Sequence, residues 1–311
     1  MSILARFFAP SRPDVAVEIG SRHVAALRLR PGTPPGLAAH AVEPLPDGLV
    51  VPSMTARNLA DPAAVSAVVG RVLKAVGGAR QVALVVPDPV ARVSIVRFEQ
   101  TPPERDLEAM LRWHVRKSVP FKMEDALLTW TPGATPAGGG AAFVTVVAQR
   151  AVVREYEQAC TAAGAHPGIV DLATLNLVNL ELAARGGEGD WLLVHLAADY
   201  LSMAIVRGGA LIFFRHRGAE EAVELADLVH QTAMYYEDRL DGRGFARVVL
   251  AAAGRRAVSG DAALEPLRRT LEERLRTRIE PIDASRALAA VGRQVPDQLA
   301  PLAGILLREA A

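Results

Sequence analysis

The residues best suited to chemistry stand near the start of the chain. Glu18-Ile19-Gly20-Ser21 puts a carboxylate at the end of an apolar run and follows it with small residues whose backbone amides can approach a phosphate. The same spacing also describes an ordinary strand-to-turn junction. Other routes to chemistry are closed. Lysine occurs only at positions 74, 117 and 122, none of them behind a glycine loop, so no GxxxxGK phosphate loop exists. The triplet Gly138 to Gly140 does not open a helix with dinucleotide spacing and reads as a hairpin tip. The seven histidines are dispersed, with no His-x-x-x-His or His/carboxylate cluster, so no metal site is expected. No serine sits in a nucleophile-elbow sequence. Cys160 is the single cysteine; it shares an apolar spacing with Val152, Val153 and Tyr156, which reads as core in a reducing compartment.

Composition bounds what these residues can serve. The 311 residues, half of them apolar, predict about two domains with full cores. With 22% charged residues and a net charge of +1, no nucleic-acid surface is expected. The longest uncharged stretch, Ala126 to Gln149, is broken by Pro132, Pro136 and the glycine triplet, which rules it out as a spanning helix. Residues 1–13 carry Ile3, Leu4, Phe7 and Phe8 beside Arg6 and Arg12 and read as a short arm; they lack the features of a signal peptide.

Strands alternate with helices along the chain. Val15 to Leu29 reads as a hairpin about Gly20-Ser21, followed by a Pro/Gly-rich connection from Pro31 to Pro52. Asp61-Pro62 caps a helix to about Val76, and Gln81 to Val86 is a buried strand closed by Pro87. Strand Ala91 to Phe98, a helix from Glu104, and strands Ala126 to Trp130 and Ala142 to Ala148 predict an inserted subdomain over about 91–148. Helix, strand and helix then lead to the linker Arg185 to Asp190, placed as the boundary between lobes 14–188 and 189–311. The second half opens like the first: sliding by 177 residues lays Val15 to Ser21 over Leu192 to Ala198. Such an echo points to two lobes of common ancestry. A long helix over 219–240, an amphipathic one over 264–276 and a closing apolar one over 299–308 complete the second lobe.

In order and spacing the elements resemble the actin-like ATPase superfamily and, within it, the PilM-like type IV pilus assembly proteins. Glu18-Ile19-Gly20-Ser21-Arg22-His23-Val24-Ala25 is similar to that family's first phosphate motif, Asp-Ile-Gly-Ser/Thr followed by Val-Lys. Val119-Pro120-Phe121 with Glu124 and Asp125, the segment Gly164 to Asp171, Arg215 to Gly218 and Tyr235-Tyr236 are similar too. The resemblance implies an α/β, duplicated RNase H-like fold with the inserted strand-helix-strand-strand subdomain.

It also implies a nucleotide site at Glu18, Gly20, Ser21, His195, Ala197, Ser202 and Gly254, in altered form. Glu18 replaces the family's aspartate, Ala25 its lysine, and His195-Leu196-Ala197 its second Asp-x-Gly. A histidine does not serve as a hard oxygen ligand for Mg²⁺, and methyls at 197 and 252 crowd amides that a phosphate must reach. The expectation is therefore no cofactor, or weakly held ATP/Mg, and no catalytic residue. The implied role is that of a cytoplasmic scaffold in a pilus or related inner-membrane platform. It would bind the cytoplasmic tail of a PilN-like bitopic membrane protein and link it to motor or platform components. Trp113 and Phe121 are the residues expected at the partner groove. The rival readings are an active ATPase using Glu18 and a polymerising filament protein.

Overall fold

A computed structural model describes residues 13–135, 138–218, 225–252, 264–288 and 295–308. Two five-stranded mixed sheets carry the architecture, and both have one topology. In the first, β1 (Val15–Ile19) pairs antiparallel with β2 (His23–Arg30), which pairs with β3 (Gly36–Pro44); β4 (Gln81–Val86) and β8 (His166–Leu172) extend the other side in parallel. In the second, β9 (Asp190–Leu196), β10 (Tyr200–Arg207) and β11 (Ala210–Gly218) form the antiparallel half, and β12 (Arg247–Ala251) and β13 (Ile279–Pro281) the parallel half. The orders β3-β2-β1-β4-β8 and β11-β10-β9-β12-β13 superpose element on element. The 177-residue echo extends to hydrogen bonds: the Gly20 N–H donates to the His23 carbonyl at 3.0 Å, and the Ala197 N–H to the Tyr200 carbonyl at 3.0 Å.

β1 and β9 are buried on both faces, which is why they read as continuous apolar runs rather than alternating ones. On β9, Trp191 and Leu193 join the core shared with the first sheet, whereas Leu192 and Val194 face α5 (Leu225–Arg239) and α6 (Glu265–Leu275). On the first sheet α1 (Pro62–Ala75) and α3 (Arg150–Ala162) pack together; the Asp61 side chain caps α1 by accepting from Ala63 N and Ala64 N, both at 3.0 Å. α4 (Ala173–Arg185) packs against α7 (Ala300–Leu307).

Between β4 and α3 lies the insert: β5 (Ala91–Phe98), α2 (Glu104–Val115), β6 (Ala126–Pro132) and β7 (Ala141–Gln149), with sheet order β5-β7-β6 and its own core of Val96, Phe98, Leu111, Val115, Phe143 and Val147.

Two observations differ from the sequence reading. The Pro31 to Pro52 connection contains a nine-residue strand, β3, because Leu37, Ala39 and Ala41 supply a period-two half-buried edge between prolines. The closing helix α7, expected with the second lobe, packs on β1, β2 and β4 of the first. Its apolar surface on all sides needs cover from more than one element. Residues 1–12 of the 1–13 arm, Gly254 and the start of the long 219–240 helix lie outside the described residues.

Candidate functional site

The two duplicated hairpin turns face one cavity. β1 ends at Glu18-Ile19 and delivers Gly20, Ser21 and Arg22 to its wall; β9 ends at His195-Leu196 and delivers Ala197 and Ala198 from the opposite side. His23, Pro87, Tyr200, Gln298 and Pro301 complete the lining. The cavity is narrow and partly open to solvent, with a volume of about 30 Å³, against the ~300 Å³ at which small-ligand pockets begin. From the wall, the Arg22 guanidinium lies 3.6 Å from Asp199 of the opposite turn and also pairs with Asp47.

Beneath the turns lies a buried polar cluster that joins the two lobes. Asp88, fully buried just past the end of β4, accepts from the Thr174 backbone N–H at 3.0 Å and from the Thr174 hydroxyl at the start of α4. It also accepts from the hydroxyl of Ser202, which lies on β10 in the second lobe. His195 places Nδ1 2.7 Å from Thr174 Oγ1 and 3.9 Å from the Asp88 carboxylate. Burial alone would raise the Asp88 pKa. The nearby His195 first, then the Ser202 and Thr174 hydroxyls, outweigh it and hold the group below its ordinary value of 3.8.

At the cavity wall, Glu18 Oε2 and His23 Nε2 face each other at 3.7 Å, and neither atom has a hydrogen-bond partner within the protein. Burial lowers the His23 pKa, but the facing Glu18 carboxylate outweighs that and raises it. Tyr200 lies edge-on to the His195 ring at 5.6 Å.

Of the residues read from sequence, Glu18, Gly20, Ser21, His195 and Ala197 all line this cavity, and Ser202 lies below it, committed to Asp88. Asp88 and Thr174 were missed. The one signal was a carboxylate directly after Pro87, where an apolar strand ends; nothing local says that its partners stand 86 and 114 residues away. Among the described residues no cluster of His, Cys, Asp or Glu is placed to hold a metal.

The insert presents different chemistry. Phe121 is half-buried, packed on the insert's core alongside Met54 from the first lobe, Met110 and Met123. Trp113 is not core: 60% of it is exposed on the outer side of α2. No described helix is long and apolar enough to cross a membrane.

Residues 16–238 match the family model described as type IV pilus assembly protein PilM. No curated protein sequence matches the chain. Among solved structures, the chain is similar to one described as the PilM-PilN type IV pilus biogenesis complex, at 20% identity over 95% of this chain and 98% of that one, with a TM-score of 0.78. It is also similar to the ethanolamine utilization protein EutJ from Carboxydothermus hydrogenoformans, at 11% identity over 96% and 90%, with a TM-score of 0.50. The paired sheets, the insert and the facing turns thus follow the plan of the actin-like ATPase fold. Since the family model spans well over half its length, the chain belongs to the type IV pilus assembly protein PilM family.

Proposed function

We propose that this protein is a cytoplasmic scaffold of a pilus assembly platform, that it binds the cytoplasmic tail of a PilN-like membrane protein, and that it turns over no ATP. The observation that carries the reading is the narrow cleft. The cavity between the turns that would hold phosphates is about 30 Å³, Arg22 of one turn lies 3.6 Å from Asp199 of the other, and Asp88 joins the lobes by accepting from Ser202. The residues present do not fit Mg-ATP. His195 offers a ring nitrogen where a hard cation needs oxygen, and the Ser202 hydroxyl is already donated to Asp88. A second anion beside the buried Asp88 carboxylate would be repelled rather than held.

The division into lobes 14–188 and 189–311, with the insert at about 91–148, is part of this reading, with α7 reaching back to the first sheet. A scaffold gains from that arrangement, because lobes sharing one core keep a docking surface in shape without a nucleotide. For the tail we place the site beside the insert's core, on which Phe121, Met110 and Met123 of the insert and Met54 of the first lobe all pack. Flexible thioethers there can adapt to an apolar peptide. Trp113 stands apart from that group in its exposure, so Phe121 carries the groove assignment.

The test is calorimetry on the full chain with a synthetic tail peptide and, separately, with Mg-ATP. Peptide binding that drops at least about tenfold in Phe121→Ala, with no saturable heat from Mg-ATP, is expected. A micromolar Kd for Mg-ATP, or metal-dependent phosphate release abolished by Glu18→Ala, would replace the scaffold with the ATPase.

A further inference from the structure

We propose that the outer face of α2 is a contact surface for anionic phospholipid headgroups, with Trp113 seated at the membrane interface. The stripe Arg105, Ala109, Trp113, Arg116 and Lys117 recurs at helical spacing and is exposed throughout, opposite Leu111 and Val115, which are buried in the insert's core. From Ala109 to Met123 the sequence holds no acidic residue and four cations, Arg112, Arg116, Lys117 and Lys122. Arg112 is paired with Glu108 at 2.9 Å. The acids of α2 lie in its first half, Glu104, Asp106 and Glu108, and Asp106 is paired with Arg105 at 3.4 Å. That leaves Arg116 and Lys117, just past the end of α2, as exposed positive charge beside a large exposed aromatic, while Lys122 is followed by the exposed acids Glu124 and Asp125.

The ring is held ready. The Arg116 guanidinium lies over it at 5.1 Å, and His114 stands edge-on at 5.2 Å while itself stacking edge-on against Phe98 at 4.9 Å. A bilayer interface rewards this combination: indole rings partition to the headgroup level, and cations beside them gain from the negative surface potential. The geometry favours a lipid surface over a peptide. Trp113 projects from a convex helix face, whereas an extended peptide needs a strand edge or a trough. The inference rests on the proposed function only for orientation, since a tail bound at Phe121 turns the same subdomain toward the bilayer.

The test is sedimentation of the full chain with phosphatidylcholine vesicles, with and without phosphatidylglycerol. Binding is expected only with the anionic lipid, and should weaken at least about fivefold in each of Arg116→Glu and Lys117→Glu and with rising salt. A blue shift of tryptophan fluorescence on binding should vanish in Trp113→Ala. These side chains are exposed, so unchanged melting temperatures will verify folding. Phe121→Ala should lose the tail peptide and keep the vesicles, which separates failure here from failure of the scaffold reading. Equal sedimentation with neutral vesicles, or no loss in Lys117→Glu, overturns the proposal. Charge reversals that spare vesicle binding but abolish tail-peptide binding would make the face a protein-docking site instead.

Discussion

Replacing Asp88 tests the tie between the lobes most directly. In Asp88→Ala the Thr174 hydroxyl keeps His195 Nδ1 at 2.7 Å, but the Thr174 backbone N–H and the Ser202 hydroxyl lose their acceptor in a fully buried site. A buried donor without a partner costs about 1–3 kcal/mol. Two of them plus the small void give about 3–5 kcal/mol, the usual cost of breaking a buried charged network. At roughly 2–4 °C per kcal/mol, scanning calorimetry should show a fall of about 10 °C. Asp88→Asn keeps the shape and one acceptor and should lose about 1–2 kcal/mol. The sign of the pH dependence follows from the depressed pKa. Asp88 holds its proton less tightly folded than unfolded, so its stabilisation is complete above about pH 4 and drains away as pH falls below that. Asp88→Asn should flatten this acid limb. An alanine variant melting within about 3 °C of the parent would refute the tie.

Two further variants probe the layer between the sheets. Glu181 on α4 is buried with neither carboxylate oxygen hydrogen-bonded and Arg185 Nε at 3.4 Å; burial raises its pKa despite Arg185 and Arg247. Its charge therefore costs stability as pH rises past the ordinary carboxylate range, and Glu181→Gln should gain about 1 kcal/mol at pH 7 in a denaturant titration. Arg185 still keeps Glu280 at 2.6 Å; a loss of similar size would show that the charge supports Arg185 and Arg247. At Gly304 a Cβ would lie 1.8 Å from the Asn176 carbonyl oxygen, so Gly304→Ala must push α7 off α4. A loss of about 3 kcal/mol or more and faster proteolysis of the C-terminal segment are expected, and parent-like stability would mean that the crossing can widen.

The sequence by itself determined the two hairpins and their echo. Val15 to Ile19 and Leu192 to Leu196 are largely apolar, and their following turns carry small residues at one offset, so each strand-turn-strand unit was legible. Glu18, Gly20, Ser21, His195 and Ala197 were grouped through the family resemblance, and in the fold these five line one cavity. Strand β3 was hidden because an edge strand buries too little apolar surface to stand out among prolines. Only the tertiary structure decided that Asp88 bolts the lobes, that α7 crosses back over the first sheet, and that Trp113 faces outward. A buried charge, a helix apolar on every side and a lone aromatic each fit several surroundings, and hydrogen bonds and packing between residues far apart in the chain select one.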